Sequence, residues 1–178
     1  VTPMMKQYLE IKRQYADTIL FYRLGDFYEM FFDDAKIASK ELELTLTGRS
    51  CGLEERAPMC GVPFHSADSY IAKLVQKGYK VAICEQTEDP ALAKGLVTRE
   101  VTRIVTKGSV LENSMLDDAR NNYLCCLYLD DKIAGICFVD ISTGTLDVTS
   151  FAGKKREEKL INELGVFQPS EVLLNRKA

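Results

Sequence analysis

The sequence predicts an α/β protein, with a mixed sheet and flanking helices in its first part and a smaller, strand-led second unit. Three observations carry this expectation. Up to residue 107, segments with apolar residues at helical spacing alternate with β-branched and aromatic runs. The stretch 108–122, "GSVLENSMLDDARNN", is polar and weakly periodic, as a linker is. Beyond it, short apolar runs follow one another with tight turns between them. The reading is therefore a first domain at 1–107, a linker at 108–122 and a second unit at 123–178. The chain stops just after a short strand, which suggests an incomplete second unit and a piece of something longer.

Taken in order, "TPMMKQYLEIKRQY" places Thr2 as N-cap and Pro3 at the first helical position, predicting a helix over 3–15. "TILFYRL", Thr18–Leu24, reads as a strand that Gly25-Asp26 breaks or bends. A helix over 31–42 follows, with Asp33 and Asp34 at its positive end. "LTLTG" reads as a short strand, and "RSCGLEERAPMCGVPFH" as a loop. Ser66 caps a helix over 66–77 that puts Tyr70, Ile71, Leu74 and Val75 on one face and stops at Gly78. "YKVAICEQ" and "REVTRIVTKG" are strands around the loop "TEDPALAKGL". In the second unit, "YLCCLYL", "KIAGICFVDISTG" and "TLDVTSF" form an antiparallel meander with a tight Asp130-Asp131 turn. The helix "GKKREEKLINELG" and the strand "EVLLN" complete it.

Hydrophobic content of 46% and charged content of 28% are those of an ordinary soluble protein. No apolar run approaches the roughly 20 residues that span a bilayer, and the start lacks the apolar core of a signal peptide. The six cysteines include no C-x-x-C pair. Cys125 and Cys126 are neighbours in a strand and point to opposite faces. These features imply reduced thiols in a cytoplasmic protein. Net charge is −3, and residues 1–107 carry 15 basic and 15 acidic side chains against 8 and 11 in the remainder. An anionic partner should therefore meet the first part.

The chemistry centres on "YRLGDFYEMFFDDAKIASKEL". Its acids Asp26, Glu29, Asp33 and Asp34 could be recruited to a metal, although Asp33 and Asp34 suit a helix start for the dipole alone. His65 is the only histidine, so triads have little material. Asp140 ends a strand where a nuclease could begin a metal site, yet one carboxylate makes no two-metal centre. No phosphate loop of the form G-x-x-x-x-G-K-[ST] occurs. Phe27 and Glu29 are two apart, so in an extended segment they share one face and Tyr28 takes the other. Composition alone leaves open a core Phe27 with Glu29 at the rim, a metal nuclease, and an aromatic wedge with an acid beside it.

"FYRLGDFYEMFFDDAKIAS", "APMCGVPFHSADSYIAKLV", "GYKVAICEQTEDP" and "KGLVTREVTRIVTKGS" together resemble the N-terminal mismatch-recognition domain of the bacterial MutS family. The resemblance runs from Thr2 to about Leu111 and continues more weakly through "VDISTGT" into a partial connector domain of ribonuclease-H-like fold. It implies a binding module without catalytic or metal residues in this chain. Phe27 would enter the minor groove and stack on a mispaired base, and Glu29 would hydrogen-bond that base. Leu24 would pack beside the wedge, and Arg49, Met59, Gly61, Pro63, Lys94, Arg99 and Arg103 would face DNA. "RSCGLEERAP", with Glu54 and Glu55, departs from the pattern. The resemblance further implies duplex DNA with mispairs or small loops as partner, and no cofactor in this chain. For the whole protein it implies an ATPase domain using ATP and Mg, a homodimer, and an interaction with MutL.

Overall fold

A computed structural model describes residues 1–52, 54–88, 95–111, 116–117 and 119–175. The chain divides into two compact units, Val1–Val105 and Thr106–Ala178.

The first unit runs α1 (Pro3–Gln14), β1 (Ile19–Leu24), β2 (Phe27–Phe31), α2 (Phe32–Leu42), β3 (Thr47–Arg49), β4 (Ala57–Pro63), α3 (Ala67–Gln76), β5 (Val81–Gln86) and β6 (Arg99–Val105). Its six strands form one sheet in the order β3-β4-β2-β1-β5-β6. The β1–β5 pair is parallel and the other pairs are antiparallel, so the sheet is mixed as expected. Thr2 caps α1 by accepting from the Met5 N–H, and Pro3 opens the helix. Met5 and Tyr8 of α1 then bury against Leu20, Tyr22, Phe31, Ala57, Ala82 and Cys84 on one sheet face. On the other face the Cys60 thiol donates to the Ala35 carbonyl of α2 at 3.5 Å.

Asp34 does more than face a helix dipole. It is buried, accepts the Leu20 N–H at 2.9 Å and pairs with Lys12 at 3.0 Å. Burial pushes its carboxyl up, and the Leu20 N–H and Lys12 oppose that. This reach is possible because β2 passes into α2 without a loop. Phe32 makes the corner with φ of 54°, a strained value for an aromatic residue.

Three local expectations are corrected. Residues 57–63 are strand β4, not loop, because β2 and β3 pair along both its sides. Its Gly61, Pro58 and Pro63 hid a strand that tertiary pairing imposes. Residues 27–31 form a strand of their own after the Gly25-Asp26 bend. Ser66 sits at the N-cap position of α3, but its side chain makes no cap bond, its hydroxyl donating to the Pro63 carbonyl instead.

The second unit holds β7 (Tyr123–Leu129), β8 (Ile133–Asp140), β9 (Thr145–Ala152), α4 (Arg156–Phe167) and β10 (Glu171–Leu174). β7, β8 and β9 are the expected antiparallel meander, and β10 adds to β7 in parallel. The Asp130 side chain fastens the first turn by accepting the Lys132 and Ile133 N–H groups. Leu160, Leu164 and Phe167 of α4 cover Cys125, Ala134, Ile136 and Phe138, and the Phe138 and Phe167 rings stack at 4.0 Å. Within the stretch read as a linker, Gly108 donates to the Glu171 carboxylate at 2.9 Å and Val110 is buried.

Burial keeps most thiols inert: it pushes Cys84 up to about 12 and Cys60 and Cys125 up to about 11. Cys125 is buried and its neighbour Cys126 exposed, as strand alternation requires. Among the described residues no helix is long and apolar enough to cross a membrane.

Asp140 is buried and accepts the N–H groups of Asn122, Ser142 and Thr143 and the Ser142 hydroxyl. Burial alone would raise its carboxyl, but these donors outweigh it and hold it below the usual range. A depressed carboxyl stabilises the fold above its unfolded value and stops doing so as pH falls through its folded value. Asp140→Asn should therefore cost about 1 kcal/mol at neutral pH. In urea denaturation across pH, the gap to the parent should close below about pH 4.

Candidate nucleic-acid interface

The site begins at the two-residue turn between β1 and β2. Gly25 supplies φ of 59° there, a conformation glycine adopts without penalty. Two bonds from outside the turn hold its carbonyls. The Arg23 Nε donates to Gly25 O at 2.5 Å, and the Phe64 N–H donates to Asp26 O at 2.9 Å. The Arg23 guanidinium also lies 3.7 Å from the centroid of the Phe64 ring, a cation–π contact that joins the two braces.

Phe27 is the first residue after the turn and is 47% exposed, unusual for a large aromatic in a paired strand. Register places it opposite Leu24 on β1 and Pro63 on β4. Two residues on, Glu29 lies opposite Tyr22 and Gly61. Phe31 follows on the same face but is fully buried opposite Met59, beneath α1. Tyr28 points the other way, buried, with its hydroxyl donating to Glu85. Burial and that acceptor push the Tyr28 hydroxyl up to about 12. Strand alternation thus gathers Leu24, Phe27, Glu29, Met59, Gly61 and Pro63 on one sheet face.

Arg49 joins them from β3. Its Nη1 lies 2.6 Å from Oε2 of Glu29, a short charge-assisted contact. The Glu29 side chain is 16% exposed and that of Arg49 40%. Gly61 packs against the Glu29 stem; a Cβ there would meet the Tyr28 carbonyl at 3.2 Å, a tight approach, and Glu29 Cγ at an ordinary 3.5 Å. The resemblance implies that Arg49 faces DNA; its pair with Glu29 is new, since a basic residue twenty positions from an acid carries no local signal of contact.

The other expected residues sit elsewhere. Arg99 is 7% exposed, donating to Arg23 O, Gln7 Oε1 and Val97 O beside the Tyr22 ring. In place of a phosphate contact it braces β1 and α1 from within. Arg103 is half-buried on β6, opposite Ile83. Lys94 lies outside the described residues. Among the described residues no three His, Cys, Asp or Glu side chains gather as metal ligands, and Asp33 pairs with Lys36.

Fold and site together define an α/β protein that presents an aromatic ring and a paired carboxylate from the open end of one sheet face. A family model for MutS domain I matches residues 2–114, and one for MutS domain II matches 122–178. The chain is 64% identical over 175 residues to the DNA mismatch repair protein MutS of Acetivibrio thermocellus, covering 98% of this chain and 20% of that protein. The MutS of Ruminiclostridium cellulolyticum is 60% identical over 177 residues, covering 99% and 20%. That of Clostridioides difficile is 59% identical over 175 residues, covering 98% and 18%. The chain belongs to the MutS family and spans about a fifth of the length of these relatives.

The two phenylalanines on β2 should separate presentation from stability. Phe31→Ala opens a cavity under α1 and should cost about 3–5 kcal/mol in urea denaturation. Phe27→Ala, at an exposed position, should cost no more than about 1 kcal/mol.

Proposed function

We propose that this chain is the mispair-sensing part of a cytoplasmic DNA mismatch repair protein, with Phe27 as wedge and Glu29 as discriminator. The observation that carries the reading is the exposure of Phe27 at a braced turn, on the face that also holds Glu29. A wedge must be presented before DNA arrives, and this ring is. The printed names of the relatives, DNA mismatch repair protein MutS, supply the process.

In this mechanism Phe27 enters the minor groove and stacks on one base of the mispair. Unstacking costs a few kcal/mol at a normal step and less where pairing is already poor. Discrimination therefore comes from deformability, which suits a sensor of many different mispairs or small loops. Glu29 accepts a hydrogen bond from the displaced base, and its charge opposes an intact duplex that offers no donor. Leu24, Met59 and Pro63 wall the wedge, and Gly61 allows close backbone approach. Lys94 and Arg103 supply phosphate contacts. The whole protein would act as a homodimer that works with MutL, using ATP and Mg in a domain outside this chain.

The isolated chain should bind DNA weakly and discriminate poorly. Balanced charge in residues 1–107 releases few counterions, and about two phosphate contacts imply a shallow salt slope. Bending the duplex costs of order 1–6 kcal/mol, more than those contacts offset. Fluorescence anisotropy with a G·T heteroduplex and its homoduplex at two salt concentrations measures this; nanomolar, selective binding by the 178 residues would refute it.

In the full-length protein, Phe27→Ala should abolish the preference for the heteroduplex while leaving the melting transition in place. Retained preference would remove Phe27 from its role.

A further inference from the structure

The Glu29 carboxylate raises a physical difficulty that the wedge mechanism leaves open. A negative charge is brought towards a polyanion, and an unpaired carboxylate there would repel mispaired and intact duplex alike. Arg49 meets that difficulty. Its guanidinium lies 2.6 Å from Oε2 of Glu29, and the carboxylate is the less exposed partner. A carboxylate has about four lone-pair sites, so Oε1 can accept from a base edge while Oε2 keeps the arginine. Gly61 places no side chain against the Glu29 stem.

We propose that Arg49 is a positioning and specificity-determining residue that acts through Glu29, holding the carboxylate beside the wedge and offsetting its charge against the phosphates. This rests on the mispair-sensing reading above and assigns Arg49 a different task from a plain backbone contact. A phosphate-binding arginine strengthens binding to every duplex equally. An arginine that aims a discriminating acid alters the ratio between duplexes, and only while the acid is present. Arg49 reaches Glu29 from β3, a three-residue strand at the sheet edge.

The test is a double-mutant cycle in the full-length protein, reading the ratio of homoduplex to G·T heteroduplex dissociation constants. Arg49→Gln should lower that ratio about threefold to tenfold in the parent and leave it unchanged in a Glu29→Gln background. Arg49→Lys keeps the charge without the planar fork and should restore part of the ratio. It is also the variant to read if the glutamine form loses its melting transition. Equal weakening of both duplexes by Arg49→Gln, with the ratio intact, would make Arg49 an ordinary phosphate contact and overturn the proposal. So would a loss of ratio that is just as large without Glu29. If Phe27→Ala and Glu29→Gln themselves leave the ratio unchanged, the mispair-sensing reading fails first and this one with it.

Discussion

The buried carboxylate of Asp34 ties together the elements on which the interface depends. It accepts the Leu20 N–H of β1 and pairs with Lys12 of α1, from its own place in the first turn of α2. Lys12 in turn donates to the Thr18 carbonyl, so the entry to β1 is held from both sides. Removing the acid would leave the Leu20 amide without an acceptor in a buried place and take from Lys12 its charge partner, while Lys12 would keep the Thr18 carbonyl. Strain at Phe32 is the companion of this arrangement, because only a strand that turns at once into a helix brings Asp34 so close to β1.

That fastening has a consequence at the far end of β2. With Phe31 locked under α1 against Tyr8, the alternation of the strand sets where Phe27 and Glu29 face. A slip of one residue would bury Phe27 and expose Tyr28. The turn adds its own restraint, since Arg23 and Phe64 hold the carbonyls of Gly25 and Asp26. A ring on so constrained a hairpin has little conformational entropy left to lose on docking.

The charges around Phe27 are largely taken up within the protein. Arg99 is spent inside the protein and Arg49 on Glu29. What the first unit presents on this face is an exposed aromatic ring and a paired carboxylate rather than a basic surface.

By itself the sequence determined the α/β class, the helices α1, α2 and α3, and the meander of the second unit, because local periodicity, caps and turn residues encode them. It also put Phe27 and Glu29 on one face, since they are two apart in an extended run. Only the tertiary structure decided that residues 57–63 are a strand. Pro58, Gly61 and Pro63 argue locally against one, and it is the pairing with β2 and β3 that imposes it. Tertiary packing likewise decided the fates of three charges whose partners the sequence does not reveal: Asp34 went to the core, Arg99 to a buried brace and Arg49 to Glu29. Each depends on a partner from another strand or helix, and the spacing of residues along a chain carries no record of which distant backbone it will meet.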